Sequence, residues 1–455
     1  MKKLFSLLFG ILSILTVFTG CKKYLDKKSN DALVVPATLQ DLQGLLDDGF
    51  TMNQETPSLP SSSSDDYFLP EQTAVGMPSG FKDIYTWQIK TYKYQNDWSK
   101  NYLPVYNANV CLETLSTIPK STKNEQQWNN VKGSALFFRA YCFLNLIWEY
   151  AKAYTPDSAS SNPGIVLRLG SDFNVASERS SVQQSYDQVI SDAKASLLYL
   201  PVRPLLATRP SSAAAYGLLC RTYLSMGKYD SCLKYAEAAL AINNELINFN
   251  HDDDINGSLS GPAPFRKFNK ETIFYSVMNT TVFLHTYSAG FVDTVLYSLY
   301  DSSDLRREAY FDSYNGYQKF KGTYTGNKNE LFTGIAVDEM YLDKAECLIR
   351  LGKTAEGMDV LNQLLSTRWD GSASFTPLTA TNRQEALNIV LTERRKELLL
   401  RGLRWIDIKR LNLEGYNIVP ERNFGGMDYK LPANDNRYAL PIPTDIINLT
   451  GLKQN

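Results

Sequence analysis

The sequence predicts a mostly α-helical fold, in which tetratricopeptide-like helical pairs form a scaffold that carries a loop-rich mixed region of short strands. Four regions of the 455-residue chain show helical periodicity, and two of them align with each other as repeats. Between those two repeats the composition changes to Asn, Asp, Gly, Ser and aromatic residues, with short β-like runs. These three observations favour stacked helical pairs with a large mixed insertion.

The first 20 residues have the pattern of a secretory signal. Two lysines precede an apolar block over residues 4–18, which is shorter than the roughly 20 residues of a spanning helix. Two small residues then stand directly before Cys21, whose thiol can be alkylated by a lipid before the leader is removed. The segment resembles a bacterial lipoprotein signal with lipid attachment at Cys21, although Phe18 stands where Leu is usual. An ordinary signal peptide and a transmembrane anchor are the alternatives.

The charge balance of the mature chain excludes some classes of partner. Removal of residues 1–20 takes away two lysines and no acidic residue, so 45 basic side chains remain against 48 acidic ones, a net charge of about −3. Nucleic-acid binding usually requires a basic excess, which is absent here. No later apolar run is long enough to span a bilayer.

Three helices are expected before the first repeat. Helical periodicity covers Asp97–Leu115 and then Asn130–Tyr154, which is apolar nearly all round and therefore buried on most sides. An arginine near the middle of the second segment argues against a membrane span. A third helix runs from Ser181 to Leu200, with a capping box between Ser181 and Gln184 and a stop at Pro201.

The two repeats are Ala214–Leu240 and Glu339–Leu365. When they are aligned on the Gly-Lys pairs that begin at Gly227 and Gly352, large and small side chains fall at matching positions. This alignment predicts that each repeat forms two amphipathic helices joined by a tight glycine turn, which is the tetratricopeptide spacing. Such a pair cannot bury its apolar face alone, so it must stack on further helices.

Five cysteines follow Cys21, and each lies among helix-like apolar neighbours. This odd number predicts small core residues rather than a disulfide framework. Cys220 and Cys232 occupy the small-residue positions at which the two helices of the first repeat approach. A disulfide between Cys220 and Cys232 is the alternative.

Several sequence blocks in a fixed order carry a family resemblance. They are "CKKYLD", "FFRAYCFLNLIWEYA", "GLLCRTYLSMGKYDSCLKYAEAAL", "EMYLDKAECLIRLGKTAEGMDVLN", "LTERRKELLLRGLRWIDIKRL" and "RYALPIPTDIINLTGLKQN". Over essentially the whole mature length the chain resembles the SusD/RagB family of Bacteroidetes nutrient-binding lipoproteins. The resemblance implies a single SusD-like domain over residues 21–455, with loop-rich inserts at about 31–96 and 241–338.

The resemblance also implies a function. It predicts a protein that is lipid-anchored on the outer surface of the outer membrane and docks as a lid over a SusC-like TonB-dependent transporter. The ligand is an oligosaccharide or, in the RagB branch, an oligopeptide, and the aromatic content of the chain favours the oligosaccharide. The resemblance implies neither a cofactor nor enzymatic activity. A structural lipoprotein scaffold that binds a partner protein and no small ligand is the third alternative.

The charged block over residues 391–411 is interpreted as structural. Residues 381–384 are expected to cap a helix, along which Glu393, Glu397 and Arg401 step by four on one side. The sequence therefore predicts a solvated face of ion pairs, followed by a corner anchored by a tryptophan.

A calcium loop is only half present in the sequence. Asp252, Asp254, Asn256 and Gly257 match the first half of an EF-hand, but the twelfth position, which should be Glu, is Ala263. A polar turn is expected instead, and no metal ligand is assigned.

The two histidines of the chain lie outside any hydrolase motif, so no catalytic residue is predicted.

The ligand site is expected among aromatic side chains on loops. Sugar rings present C–H faces that stack on Trp and Tyr, while amide and carboxylate groups bind the hydroxyls. The segment "DIYTWQIKTYKYQND" lies ahead of the first long helix without helical periodicity, and it supplies the main candidates Trp87, Tyr92, Tyr94 and Asn96. Weaker candidates are Tyr67, Tyr314, Tyr317 and Trp369.

Overall fold

Helices are the main secondary structure in the computed structural model, which describes residues 36–90 and 95–455. Cys21, Tyr92 and Tyr94 lie outside the described residues. The helices are α1 (Leu39–Leu46), α2 (Gly49–Asn53), α3 (Leu59–Ser63), α4 (Glu71–Gly76), α5 (Ser79–Tyr85), α6 (Asp97–Leu115), α7 (Glu125–Tyr150), α8 (Val182–Ser196), α9 (Ser212–Ser225), α10 (Tyr229–Leu240), α11 (Thr294–Ser298), α12 (Arg306–Tyr310), α13 (Val337–Arg350), α14 (Thr354–Ser366), α15 (Arg383–Glu397), α16 (Arg404–Leu413) and α17 (Thr444–Thr450).

Strands are short and pair two by two. They are β1 (Tyr67–Phe68) with β5 (Phe291–Val292), β2 (Pro163–Val166) with β3 (Arg179–Ser181), β4 (Thr272–Phe274) with β8 (Ile335–Ala336), β6 (Phe311–Tyr314) with β7 (Tyr317–Phe320), and β9 (Glu421–Phe424) with β10 (Met427–Lys430). All five pairs are antiparallel. Two of the pairs, β4 with β8 and β6 with β7, lie in the predicted insert of residues 241–338.

Local sequence explains where the long helices begin. The predicted capping box of α8 is confirmed: the Gln184 backbone N–H donates to Ser181 Oγ over 3.1 Å, and the Ser181 N–H donates to Gln184 Oε1 over 2.9 Å. The helix ends at Ser196, before a tight turn that leads to Pro201, so it is shorter than predicted. The extent of α6 agrees with the prediction.

The two predicted repeats are helical pairs. Helices α9 and α10 are joined at Gly227 and helices α13 and α14 at Gly352, and these glycines have φ angles of 67° and 86°. Left-handed backbone of this kind favours glycine, which explains the Gly-Lys register of the alignment. Helix α10 packs directly on α13, so the repeats are neighbours although the insert separates them in sequence.

The remaining long helices extend this stack. Helix α6 packs on α7, α7 on α8 and α8 on α9, while α15 packs on α13 at the other end. Helix α7 is buried on nearly all sides, as its composition predicts. Its central Arg139 forms a bidentate ion pair of 2.7 Å with Asp192 of α8, which satisfies the one strongly charged group in the middle of the helix. Residues Leu39–Asn455 form one compact unit.

All five cysteines after Cys21 are buried and free. The sulfur atoms of Cys220 and Cys232 are 3.3 Å apart, well beyond the length of a disulfide bond. Both side chains have no exposed surface, and they allow α9 and α10 to approach closely. This arrangement agrees with the prediction of small core residues.

The prediction of a solvated ion-pair face on residues 391–411 is wrong. Glu397 has 1% of its surface exposed and binds two arginines, Arg306 over 2.9 Å and Arg368 over 2.8 Å. Arg306 also pairs with Glu393 of α15, and Arg368 reaches Glu271 in the insert. The insert folds over this face of α15, so the charges are matched by buried partners instead of water.

The cap of α15 is one residue later than predicted. Asn382 is the N-cap, and its Oδ1 accepts a 2.9 Å hydrogen bond from the backbone N–H of Glu385. Thr381 assists by donating its own N–H to the Glu385 carboxylate over 2.7 Å. Both residues are good capping types, and the φ and ψ angles of Asn382 are those of an extended N-cap.

The partial calcium motif is a polar turn, as expected. Asp252 accepts a 2.8 Å hydrogen bond from Lys270 Nζ, and Asp254 accepts the Lys270 backbone N–H over the same distance. Gly257 has a φ angle of 79°, which fits its place in the turn.

Within residues 36–90 and 95–455, no helix has the length and apolarity needed to cross a membrane.

Candidate functional site

Two of the predicted aromatic residues meet at the tip of a β-hairpin. Strands β6 and β7 pair in register, with Tyr314 opposite Tyr317. Asn315 and Gly316 form the two-residue turn between them, with φ angles of 50° and 81°. Positive φ at both central positions is the type I′ geometry that Asn-Gly favours, because its twist matches that of the strands. The turn therefore presents both tyrosines side by side.

The hairpin packs its tyrosines against a second strand pair. Phe68 of β1 lies opposite Phe291 of β5 in that ladder. The ring centroid of Tyr317 is 5.1 Å from that of Phe68 and 5.7 Å from that of Phe291. Tyr314 lies 6.1 Å from Phe291. We call these four residues, Phe68, Phe291, Tyr314 and Tyr317, the aromatic platform.

The outer part of the aromatic platform faces solvent. Tyr314 is 55% exposed and Tyr317 is 42% exposed, whereas Phe291 beneath them is 6% exposed. Two large exposed rings supported by a buried one form a rigid apolar surface with hydroxyl groups at its edge. Such a surface stacks well on the C–H face of a sugar ring or on another flat apolar group.

Charged groups line one side of the aromatic platform. Lys319 Nζ lies 4.7 Å from the ring centroid of Phe291 and 5.3 Å from that of Tyr314. It donates a 2.7 Å hydrogen bond to the Tyr287 carbonyl. Burial lowers the pKa of Lys319, and the positive charge of Lys328 lowers it further. This amine is therefore held in place beneath the rings.

Tyr287 extends the polar rim. Its hydroxyl donates to the Asp312 carboxylate over 2.9 Å, and Lys328 Nζ lies 4.0 Å from the centroid of its ring. Lys328 also pairs with Asp312 over 3.4 Å. The rim thus combines a phenol, a carboxylate and ammonium groups next to the exposed rings, which are the donors and acceptors that sugar hydroxyls require.

Trp87 and Tyr67, by contrast, lie inside the protein. Each has 3% of its surface exposed, and the Trp87 indole N–H donates to the Ser63 carbonyl over 2.9 Å. The guanidinium of Arg422 is 4.8 Å from the Trp87 ring and 4.6 Å from the Tyr67 ring. The prediction that Trp87 lies on an open loop is wrong, because its ring contacts an internal cation and has no free face.

Asn96 and Trp369 do not join the aromatic platform. Asn96 is the N-cap of α6, where its Oδ1 accepts the Ser99 N–H over 2.9 Å, and it is fully buried. Trp369 is half-buried and lies 5.8 Å from Phe375, centroid to centroid. Tyr92 and Tyr94 fall outside the described residues, so the structure does not place them.

Sequence reasoning missed Phe68, Phe291, Tyr287, Asp312 and Lys319. The Asn-Gly pair between two tyrosines is the strongest short-range hairpin signal that this chain offers, and it could have ranked Tyr314 and Tyr317 first. Phe68 and Phe291 are separated by more than 200 residues. Only the pairing of β1 with β5 brings them together.

Two buried clusters contain side-chain types that are common in active sites and metal sites. The Ser62 hydroxyl lies 2.7 Å from His285 Nδ1, and both residues are inaccessible. The Cys220 thiol donates to the Asp343 carboxylate over 3.1 Å, and Asp343 already pairs with Arg394 over 2.5 Å. These sulfur and carboxylate atoms have metal-ligating types, but the carboxylate charge is matched by the guanidinium. Neither cluster opens to a substrate.

Comparisons with known proteins agree with this architecture. A family described as "Starch-binding associating with outer membrane" matches residues 23–224, and the "SusD family" matches residues 291–455. SusD-like protein P2 of Formosa agariphila is 25% identical over 397 residues, which cover 74% of this chain and 76% of that protein.

Solved structures share the fold. A SusD superfamily protein of Bacteroides thetaiotaomicron superimposes with a TM-score of 0.74 at 19% identity, covering 92% of this chain and 99% of that one. A laminarin-binding SusD-like protein gives a TM-score of 0.65 at 19% identity over 91% of this chain and 97% of that one. One family model matches residues 23–224 and a second matches residues 291–455, and by these two matches this chain belongs to the SusD/RagB family.

Proposed function

We propose that this protein is a cell-surface lipoprotein that binds an oligosaccharide on the aromatic platform and delivers it to a SusC-like TonB-dependent transporter of the outer membrane. The observation that carries the proposal is the pair of exposed rings, Tyr314 and Tyr317, backed by Phe68 and Phe291. Family membership supports the role, since one of the matching families is described as starch-binding and outer-membrane associating.

Binding uses two kinds of contact. The exposed tyrosine rings stack on the apolar faces of successive sugar units, which removes those faces from water. Tyr287 and Asp312 at the rim hydrogen-bond the hydroxyls that project sideways. Because the hairpin turn and the β1–β5 ladder hold the rings in place, little side-chain freedom is lost when the ligand arrives.

Anchoring and delivery complete the proposal. A lipid at Cys21 confines the protein to the membrane surface and raises its effective concentration at the transporter. A modest affinity then suffices, since the ligand must be released again. Replacement of Cys21 in a diderm host, Cys21→Ala, is expected to release or mislocalise the protein. Membrane fractionation that is unchanged by this substitution would contradict lipid anchoring.

The binding site is tested with the purified mature protein and soluble laminarin, followed by other oligosaccharides and peptides on arrays. For any sugar that binds, isothermal titration calorimetry should show about tenfold weaker affinity for Tyr314→Ala and for Tyr317→Ala, which corresponds to ~1.4 kcal/mol. The matched control is Phe173→Ala, which removes a ring that is 77% exposed elsewhere on the surface. This control should keep the wild-type affinity.

Other outcomes decide between the alternatives. A peptide hit without a sugar hit would place the protein in the oligopeptide-binding branch. Sugar binding that is insensitive to both tyrosine substitutions would move the site away from the aromatic platform. No binding to either class, together with co-purification of a SusC-like transporter in mild detergent, would favour a scaffold that binds no small ligand by itself.

A further inference from the structure

A small cavity lies where α7 meets the corner between α15 and α16. Its volume is about 20 Å³, and it shares no residue with the aromatic platform. Asn145 of α7, Arg401 after α15 and Trp405 of α16 contribute to its walls, together with Arg221 and Thr333. A space of this size accommodates one or two non-hydrogen atoms.

Four side chains of the wall have a buried nitrogen without a hydrogen-bond partner among the protein atoms. These atoms are Nδ2 of Asn145, Nε1 of Trp148, Nη1 of Arg401 and Nε1 of Trp405. Arg401 and Trp405 are themselves only 4% and 1% exposed. A buried N–H without an acceptor is destabilising, so four in the wall of one cavity indicate a bound group that accepts hydrogen bonds.

The acidic residues nearby are already used. Arg401 donates from Nη2 to Asp338 over 2.7 Å, and Arg221 forms a bidentate pair with Glu339. Neither carboxylate belongs to the cavity wall, in which the described residues include no Asp or Glu. Burial raises the pKa of Asp338, and the charge of Arg401 opposes that rise.

The chemistry of the wall favours an anion over water. A water molecule has two lone pairs and therefore accepts from at most two of these N–H groups, which leaves the others without an acceptor. A monatomic anion can accept from every donor at once.

We propose that this cavity is a binding site for a small monovalent anion of the halide class, with chloride as the physiological ion. Arg401 supplies the charge, and Asn145 and Trp405 supply neutral N–H donors. The ion joins α7 to the corner between α15 and α16, two parts of the chain that are distant in sequence. The fold is therefore stabilised by chloride itself, in addition to any general effect of ionic strength.

The direct test is anomalous scattering from crystals of the mature protein grown or soaked in sodium bromide. A bromide peak between Asn145, Arg401 and Trp405 is expected in the anomalous difference map. Diffraction to a resolution that orders internal water, with density in this cavity but no bromide signal, would overturn the proposal in favour of water.

A solution test uses thermal unfolding at constant ionic strength, with chloride exchanged for gluconate, which is too large for the cavity. We expect the wild-type melting temperature to rise with chloride concentration and to saturate. Trp405→Phe keeps an aromatic ring but removes one donor. It should weaken chloride binding, so that the half-saturating chloride concentration rises at least tenfold. Asn145→Leu is a second variant of similar volume, should Trp405→Phe fold poorly.

The control is Trp128→Phe, which removes an indole N–H that donates to the Ile118 carbonyl over 3.0 Å, outside the cavity. Its chloride dependence should match that of the wild type. Identical chloride dependence in wild type, Trp405→Phe and Asn145→Leu would contradict the proposal, whatever the outcome of the sugar-binding experiments.

Discussion

The guanidinium of Arg422 lies 4.8 Å from the centroid of the Trp87 ring. Tyr85 and Tyr67 lie 4.2 Å and 4.6 Å from the same cation, so three aromatic rings enclose it. Arg422 also donates to the backbone carbonyls of Ser62 and Tyr85. Two of the predicted ligand residues, Trp87 and Tyr67, thus bind an arginine of the protein itself.

The first prediction is that Trp87 acts on stability and leaves the proposed ligand site intact. Trp87→Ala removes a buried ring and its hydrogen bond to Ser63, and should lower the free energy of unfolding by about 3–5 kcal/mol. Urea unfolding measures this loss. At temperatures where the variant stays folded, its sugar affinity should equal that of the wild type. A large loss of affinity at unchanged stability would contradict this interpretation.

The second prediction concerns the turn that presents the tyrosines. A Cβ at Gly316 meets no atom within 4 Å, but its φ angle of 81° is unfavourable for other residues. Gly316→Ala should therefore cost about 1–2 kcal/mol locally and weaken sugar binding by distorting the pair Tyr314 and Tyr317.

The control for the turn is Gly80→Ala in helix α5, where a Cβ also finds open space and φ is ordinary. This substitution should leave binding unchanged and stability equal or slightly higher. Calorimetric titration and thermal unfolding of both variants check the comparison. Equal sugar affinity in the two variants would show that the geometry of the turn has no role in binding.

The third prediction tests the buried ion pairs. Glu397→Gln leaves Arg306 and Arg368 without a shared carboxylate, and should lower the free energy of unfolding by about 3 kcal/mol or more. The surface pair of Glu421 with Lys430 supplies the control: Glu421→Gln should leave stability unchanged within error. If both variants unfold at the same urea concentration, the buried network contributes no more than a surface pair.

The fourth prediction is a dependence of stability on pH through His285. Burial lowers the pKa of His285 from 6.5 to about 3, whereas the unfolded chain regains the ordinary value. Between those two values the unfolded state binds more protons. Acidification from pH 6.5 therefore reduces the free energy of unfolding, by up to ~1.4 kcal/mol per pH unit from this group.

The difference between wild type and His285→Gln isolates this contribution from the other titrating groups. Urea unfolding between pH 4 and pH 7 should show a shallower loss of stability on acidification in the variant. His251→Gln, at an exposed position, should retain the wild-type slope. The same slope in all three proteins would show that His285 does not take part in the pH response.

The helical part of the fold could be predicted because its signals are local. The capping box at Ser181, the glycine turns at Gly227 and Gly352, and the apolar composition of α7 each depend on neighbours within a few residues. The burial of the ion pairs around Glu397 could not be predicted in this way. The residues Arg306 and Glu271 of this network come from the insert. No local sequence pattern predicts that the insert packs across α15.

The burial of the polar run of residues 61–66 could not be predicted from local sequence either. Its composition suggests a solvated loop, yet Ser62, Ser63 and Asp66 are almost completely buried. Asp66 pairs with Arg395, and carbonyls of the run accept from Arg422. The composition shows that this run contains polar groups that need hydrogen-bond or ion-pair partners. Only the tertiary structure shows that these partners are protein atoms and not water. The tyrosines of the aromatic platform lie in a local hairpin, whereas its phenylalanines come from distant segments.

The contact between α10 and α13 has a consequence for how such proteins diversify. Because these helices meet directly, the segment between them leaves the scaffold and returns to nearly the same place. Closing a flexible segment costs entropy that grows only with the logarithm of its length, so its outer loops can lengthen or shorten at small cost. Anchors such as Glu271 and Arg306 must stay. Natural variation can therefore replace the hairpin of Tyr314 and Tyr317 with another surface while the helices beneath it remain the same.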